Sequence, residues 1–353
     1  MDVRNILKKA LEERIGSDEA MLLFQKATLL DLAEAADTVR AVKHPDGRAT
    51  FQIDRNINYT NICRNECSFC AFYRPKGHAE AYVLSQEEIN DKVEETIRLS
   101  GTQVMIQGGI NPDLNLDYYT NMFRGIKERF TIRIHSLSPP EIVHLSESSG
   151  LSIADTLKEL VSAGLDSLPG GGAEILVDSV RQRISPKKIS SSRWLEVMEE
   201  AHKLGMKTTA TMMIGTVETI EDRISHLLKI RDLQDTTGGF LSFIPWTFQP
   251  GNTALGGRAI SSLEYLRTLS LSRLFLDNFE NVQGSWVTQG KDVGQICLSF
   301  GANDLGSIMI EENVVKAAGV SHRMTIEDMV DLIRRTGRTP ALRDTEFNIL
   351  KDY

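Results

Sequence analysis

Cysteine is scarce in this 353-residue chain, with four in all. The amino terminus, Met-Asp-Val-Arg-Asn-Ile-Leu-Lys-Lys, lacks the apolar core of a signal peptide. Together these features exclude a secreted scaffold built on disulfides and give the cytoplasm as the expected compartment. No apolar run approaches the ~20 residues needed to span a bilayer. Positive charge is not in excess: 40 Lys and Arg against 48 Asp and Glu leave a formal net charge of −8. The basic pairs Lys187-Lys188 and Arg334-Arg335 are too short to form a patch, so neither nucleic acid nor a membrane is an expected partner. Also missing are a His-Glu-x-x-His helix, a Gly-x-Ser-x-Gly elbow and a phosphate loop ending Gly-Lys-Ser/Thr. Their absence removes support for zinc-peptidase, serine-hydrolase and ATPase readings. There is no internal repeat, low-complexity tract or clear second domain.

What is present is concentrated. Three of the four cysteines fall within eight residues, Cys63-Arg-Asn-Glu-Cys67-Ser-Phe-Cys70. Three thiolates are one short of the usual four-cysteine iron–sulfur cage, which leaves one iron open to a small molecule. A zinc site is the alternative, with His78 as a fourth ligand, but structural zinc sites favour paired Cys-x2-Cys knuckles and only one such pair occurs. Cys297 lies in the apolar run Gln-Ile-Cys-Leu-Ser-Phe and reads as a small buried hydrophobe.

The first forty or so residues read as helical, and His44-Pro-Asp-Gly-Arg marks a turn. Short apolar or β-branched runs then alternate with amphipathic helices. The expected strands are Thr50–Asn61 (as a hairpin entering the first barrel strand), Gln103–Gln107, Thr131–Leu137, Asp166–Leu168, Lys207–Ile214, Phe240–Phe248, Asn281–Val287 and Gln295–Phe300. The helical patterns include Ser85–Ser100, Asp117–Arg129, Ser152–Ala163, Ser192–Leu204, Thr219–Thr236 and Ser262–Asp277. This alternation predicts an α/β fold, a (β/α) TIM-type barrel with helical extensions at both ends. The expected division is an N-terminal helical extension over 1–48, a barrel over 49–310 and C-terminal helices over 311–353. An open doubly wound sheet is the alternative, but no Gly-x-Gly-x-x-Gly follows any candidate strand. The cysteine loop follows a strand, which places it on the C-terminal face where barrels build their sites.

Other strand ends carry candidate chemistry. Gln107-Gly108-Gly109 lets backbone approach a ligand closely, or is simply a tight turn. Glu174, after Pro169-Gly-Gly-Gly-Ala, suits ribose hydroxyls or caps the next helix. Arg181 or Arg183 could pair with a carboxylate, or lie on the surface. The aromatic and amide run Phe243–Thr253 and the segment Ser285–Gly290 suit an aromatic, hydroxylated substrate. His135, Asp304, Glu174 and Glu218 are the candidate proton acceptors.

The pattern Cys63-x3-Cys67-x-Phe69-Cys70 is similar to the signature of the radical S-adenosylmethionine superfamily. The longer runs Asn58-Tyr-Thr-Asn-Ile-Cys63 and Cys70-Ala-Phe-Tyr-Arg resemble a narrower group. That group holds the menaquinone enzymes of the futalosine pathway and the deazaflavin (F0) synthase subunits. Gly108-Gly-Ile-Asn-Pro-Asp-Leu, Ser138-Pro-Pro-Glu, Phe243–Thr253 and Ser285–Gly290 resemble the branch that cyclises dehypoxanthine futalosine. The resemblance covers roughly Ile53 to Gly319. It implies a 4Fe-4S cluster on Cys63, Cys67 and Cys70, and S-adenosylmethionine seated by Phe69 and Gln107–Gly109. It also implies an electron donor such as flavodoxin or ferredoxin, and dehypoxanthine futalosine as the small-molecule substrate. The chemistry it implies is hydrogen abstraction at the sugar C4′ followed by addition to the benzoate ring. Aminofutalosine synthase and the F0 synthase half that couples a tyrosine-derived radical are sister alternatives. A non-catalytic iron–sulfur or zinc protein is the alternative of a different class.

Overall fold

The computed structural model describes residues 2–353. Three helices, Val3–Glu12, Ser17–Lys26 and Leu29–Lys43, precede the first strand. The third is started by Thr28, whose Oγ1 accepts the Asp31 N–H at 3.1 Å. Ile6, Leu23, Leu32 and Ala36 are buried on these helices, which pack against the helix Ser262–Phe275.

Eleven strands follow: β1 (Arg48–Gln52), β2 (Asp54–Ile57), β3 (Gln103–Ile106), β4 (Arg133–Ser136), β5 (Ser167–Leu168), β6 (Lys207–Ile214), β7 (Phe240–Thr247), β8 (Asn281–Val282), β9 (Asp304–Ser307), β10 (Thr339–Arg343) and β11 (Ile349–Asp352). Strands β2 to β8 form a seven-stranded sheet in chain order, with every neighbouring pair parallel. Parallel neighbours in chain order need a crossover each time, and helices supply them on one face, so the sheet curls. Helix starts are written locally: Ser85, Asn115, Ser152, Ser190, Thr219 and Ser261 all cap the helices they precede.

The two edges of the curl meet through the segment around β9. Gln283 and Asp304 form a parallel bridge, and the Asn303 N–H reaches the Val282 carbonyl at 3.1 Å. On the other side, the Ile308 and Ile310 N–H groups donate to the Gln52 and Asp54 carbonyls at 3.1 and 3.0 Å. The expected alternation is therefore realised as a curled parallel sheet with helices around it. Among the described residues no helix is long and apolar enough to cross a membrane.

Four local expectations are corrected. Thr50–Asn61 is not a hairpin: only Ile53 separates β1 from β2, and there is no turn residue to reverse the chain. Instead β1 pairs in parallel with β9 and β10 while β2 pairs with β3. Gln295–Phe300 is not a strand, because the helix Lys291–Cys297 takes its first half; a six-residue apolar run carries no period that separates the two. The strand expected over Asn281–Val287 stops at Val282, and Trp286–Gln289 is a helical turn. The segment 311–353 is not purely helical. Its helices are Val314–Ala317 and Ile326–Arg334, and it ends in β10 and β11, with β10 parallel to β1 and β11 antiparallel to β10. Cys297 is fully buried, as its apolar run suggests, with burial pushing its thiol up to about 12.

Candidate active site

The chain leaves β2 at Ile57 and enters a loop that is tied down before it reaches Cys63. Thr60 Oγ1 donates to the Tyr82 carbonyl at 2.6 Å and Asn61 Nδ2 to the Glu80 carbonyl at 2.8 Å. The Cys63 N–H donates to the Arg74 carbonyl at 3.2 Å, and the Cys70 N–H to the Cys67 carbonyl at 3.0 Å. Cys63, Cys67 and Cys70 line one cavity of about 240 Å³. Burial pushes the Cys67 thiol up to about 12 and raises Cys70 as well. A resident metal group is what would hold such buried sulfurs as thiolates.

The surroundings fit a cluster with a ligand on its open iron. Three cysteines and no histidine or fourth cysteine line the cavity. His78 does not line it, and its Nδ1 accepts the Glu80 N–H at 3.1 Å on the exposed surface. Gln107, Gly108 and Gly109 line the same cavity. A Cβ on Gly109 would collide with the Ile62 carbonyl and come 2.8 Å from Cys63 Cβ, and one on Gly108 would lie 2.7 Å from the Tyr59 ring. Both glycines are therefore demanded by packing against the cysteine loop as well as by any ligand. Phe69 lines the same cavity, with Lys188 Nζ 5.1 Å from its ring centroid.

Two buried carboxylates complete this cavity. Glu174, a candidate from the sequence, lines the cavity and forms a buried ion pair with Lys188. Burial would lower the Lys188 ammonium, but Cys67 and Glu174 outweigh it and hold the lysine protonated. Glu141 was missed as a site residue, although Ser138-Pro-Pro-Glu stands out as a motif. The prolines open the helix Pro139–Ser149 and leave Glu141 in its first turn. Its Oε1 accepts from Tyr59 Oη at 2.6 Å and its Oε2 from Ser138 Oγ. Burial pushes the carboxyl up to about 7 against those hydrogen bonds.

The two arginines go elsewhere. Arg181 is buried with its guanidinium spent on carbonyls, 2.6 Å from Ala173 O and 2.7 Å from Ile189 O. It shapes the glycine loop rather than facing the cavity. Arg183 reaches the Val217 carbonyl at 3.3 Å on the exposed side. The cation that lines the cavity is Lys188, paired there with Glu174, although its place in a short basic pair suggests surface instead.

A second cavity of about 310 Å³ fills the barrel interior. It shares Gln107, Gly171, Gly172, Glu174, Trp246 and Val314 with the first, so the two chambers have a common wall. Trp246 and Trp286 line it, as the aromatic segments suggested, whereas Phe243 is ordinary core. His135 also lines it, with Nδ1 2.6 Å from Ser167 Oγ. Burial, then the charge of Arg343, pushes its imidazole down to about 3, so the ring is neutral.

The other two acceptor candidates are not brought to the cavities. Asp304 begins β9 instead of ending a strand, a consequence of the misplaced eighth strand. It is fully buried and accepts from Arg343 Nε and Thr50 Oγ1, both at 2.6 Å. Glu218 folds back on its own loop, accepting from the Gly215 N–H at 2.6 Å and from Arg223 Nε at 3.0 Å.

A stripe of polar residues was also missed. Gln52, Asp54 and Asn56 line the barrel chamber and Asn58 lines the cysteine cavity. They alternate with Ile53, Arg55, Ile57 and Tyr59 at the period of a strand. The signal was visible: alternation with the amides and acid pointing inward marks a wall that meets a polar ligand, not a core.

A parallel barrel with three cysteines and a glycine-lined cavity at the strand ends defines a radical-generating iron–sulfur enzyme class. The family model "Radical SAM superfamily" matches residues 57–230, and the model "CofH/MqnC C-terminal region" matches 237–352. The chain belongs to the radical S-adenosylmethionine superfamily. It is 46% identical over 356 residues to a cyclic dehypoxanthine futalosine synthase of Halalkalibacterium halodurans, covering 100% of this chain and 96% of that one. It is 47% identical over 355 residues to the Streptomyces coelicolor protein of the same name, covering 99% and 89%. An Archaeoglobus fulgidus 5-amino-6-(D-ribitylamino)uracil–L-tyrosine 4-hydroxyphenyl transferase is 42% identical over 307 residues, covering 85% and 88%. Among solved structures, methylornithine synthase (PylB) superposes with a TM-score of 0.74 at 21% identity, over 95% of this chain and 97% of that one. That likeness concerns the fold.

Proposed function

We infer that this protein is a radical S-adenosylmethionine cyclase that converts dehypoxanthine futalosine to cyclic dehypoxanthinyl futalosine in menaquinone biosynthesis. The full-length identity to two curated synthases of that name supports the reading. The observation that carries it is the common wall of Gln107, Gly171, Gly172, Glu174, Trp246 and Val314. A radical made in the cysteine cavity would have a substrate chamber directly beside it.

Cys63, Cys67 and Cys70 would hold the 4Fe-4S cluster. The backbone of Gly108 and Gly109, with Glu141, Glu174 and Lys188, would hold S-adenosylmethionine, its ammonium and hydroxyls suiting the carboxylates and its carboxylate suiting the lysine. When bound and reduced by an external one-electron donor, this pair supplies a 5′-deoxyadenosyl radical for the C4′ hydrogen. The chain's own part is to exclude water, to hold the aromatic ring against the sugar between Trp246 and Trp286, and to take up one proton. His135 fits the last role. In the Nδ1–H tautomer its ring donates to Ser167 and presents Nε2 as an acceptor. Its weak basicity suffices, because the proton leaves together with one electron, which would pass to a one-electron carrier, and a proton lost to restore aromaticity is strongly acidic.

The test is product analysis by mass spectrometry on cluster-loaded protein, with dehypoxanthine futalosine in one vessel and tyrosine plus 5-amino-6-(D-ribitylamino)uracil in another. Cyclised product in the first alone supports the reading; a coupled product in the second alone moves the chain to the transferases.

A further inference from the structure

Asp54, in the polar stripe of β1 and β2, is a buried group that the steps above leave unused. It is 2% exposed and lines the barrel chamber. Its Oδ2 accepts from Gln103 Nε2 at 2.7 Å and from Gln52 Nε2 at 3.1 Å. Its Oδ1 has no hydrogen-bond partner, although Ser307, whose Oγ accepts the Asp54 N–H at 3.0 Å, sits beside the carboxyl. A buried carboxylate oxygen left unpaired is costly, and such groups are rare unless a ligand satisfies them.

The surrounding network explains why that oxygen stays free. Arg343 is already spent: Nε and Nη2 hold Asp304 at 2.6 and 3.0 Å, and Nη1 holds Gln52 Oε1 at 2.8 Å. Gln52 is thereby turned so that its amide nitrogen faces Asp54. Gln103 is fixed the same way, its Oε1 accepting from Thr345 Oγ1 at 2.7 Å. Two glutamines, each locked from behind, pin one oxygen of Asp54 and leave the other as a preorganised contact.

We propose that Asp54 Oδ1 anchors a hydroxyl group of the substrate's sugar in the barrel chamber. A hydroxyl meets the site in either protonation state, donating to the carboxylate or accepting from the acid. This matters because burial raises the Asp54 carboxyl against the pull of Ser307, Gln103 and Arg343. The substrate's own carboxylate is a poor occupant, since two buried carboxylates face to face repel. Asn56, next inward on the same strand, extends the polar wall toward the cysteine cavity, so a polyhydroxylated group has contacts along its length.

This assignment rests on the cyclase reading, and the experiment separates the two. Kinetics of cluster-loaded wild type, Asp54→Ala and Asp54→Asn are compared on dehypoxanthine futalosine and on its analogues lacking one sugar hydroxyl each. Asp54→Ala should raise KM for the full substrate tenfold or more. One deoxy analogue should lose as much on wild type and nothing further on Asp54→Ala. Asp54→Asn, which keeps the shape but must turn its oxygen to the glutamines, should show a smaller loss in KM, and that analogue's penalty should shrink on it. A KM within twofold of wild type in both variants, or deoxy penalties equal in wild type and variants, would overturn the anchor. Should Asp54→Ala not fold, the Asp54→Asn comparison decides between these outcomes. Calorimetric binding of the intact compound keeps the claims apart: binding weakened in Asp54→Asn, with no cyclised product from wild type, retains the anchor and rejects the cyclase.

Discussion

Tyr59 Oη lies 2.6 Å from Glu141 Oε1 and joins the exit of β2 to the first turn of the helix Pro139–Ser149. The cysteine loop and the carboxylate that would face its ligand are thus one hydrogen-bonded unit. Burial raises Glu141 from 4.5 to about 7. The folded protein therefore binds this proton more tightly than the unfolded chain, and the associated stability is full below pH 4.5 and lost as pH rises through about 7. Denaturant titrations of the apo-protein should show a loss of roughly 3 kcal/mol across that window. Glu141→Gln should flatten the dependence, and an unchanged slope in the variant would assign it to other groups.

Gly109 has no room for a side chain, since a Cβ would strike the Ile62 carbonyl and crowd Cys63. Gly109→Ala should cost about 1–3 kcal/mol and displace the cysteine loop, so iron loading after reconstitution should fall severalfold. Gly16→Ala, whose Cβ would meet only Glu19 Oε2 at 3.8 Å, is the control and should load normally.

Lys188 and Glu174 are a buried pair, 11% and 5% exposed at their side chains. Removing one partner strands a charge, which typically costs about 3–5 kcal/mol. Lys188→Met and Glu174→Gln should each destabilise strongly, and the double variant should recover much of the loss. Its affinity for S-adenosylmethionine, measured by equilibrium dialysis, should stay low. Restored affinity would reduce the pair to a structural role.

His135→Gln leaves the chamber polar but removes the imidazole acceptor. Formation of 5′-deoxyadenosine in the presence of substrate should continue while cyclised product falls tenfold or more. Equal falls in both would assign His135 to substrate positioning.

What was legible in the sequence was local chemistry. The cysteine triad is a fixed spacing, and helix caps such as Ser85 and Thr219 act within four residues, so both could be read directly. β5 fell where Asp166–Leu168 was expected, whereas β8, two residues long, has no period to fix its end, and the strand expected over Asn281–Val287 overran it. Glu141 and Lys188 were hidden for another reason. Each becomes a site residue only when the helix entry or the loop folds over the cysteines, tens of residues away in the chain. Arg181 shows the converse: its guanidinium looked free for a carboxylate, and tertiary packing spent it on the carbonyls of Gly172, Ala173 and Ile189. Asp304 was misplaced along with the eighth strand, and its partner Arg343 arrives from β10, a strand with Pro340 inside it that the sequence does not advertise.

The most direct test uses dehypoxanthine futalosine carrying deuterium at the sugar C4′, with cluster-loaded enzyme, S-adenosylmethionine and a reductant. The account predicts singly deuterated 5′-deoxyadenosine and cyclised product in equal amounts, both lost in Cys67→Ala. Unlabelled 5′-deoxyadenosine, or labelled nucleoside with no cyclised product, would contradict it.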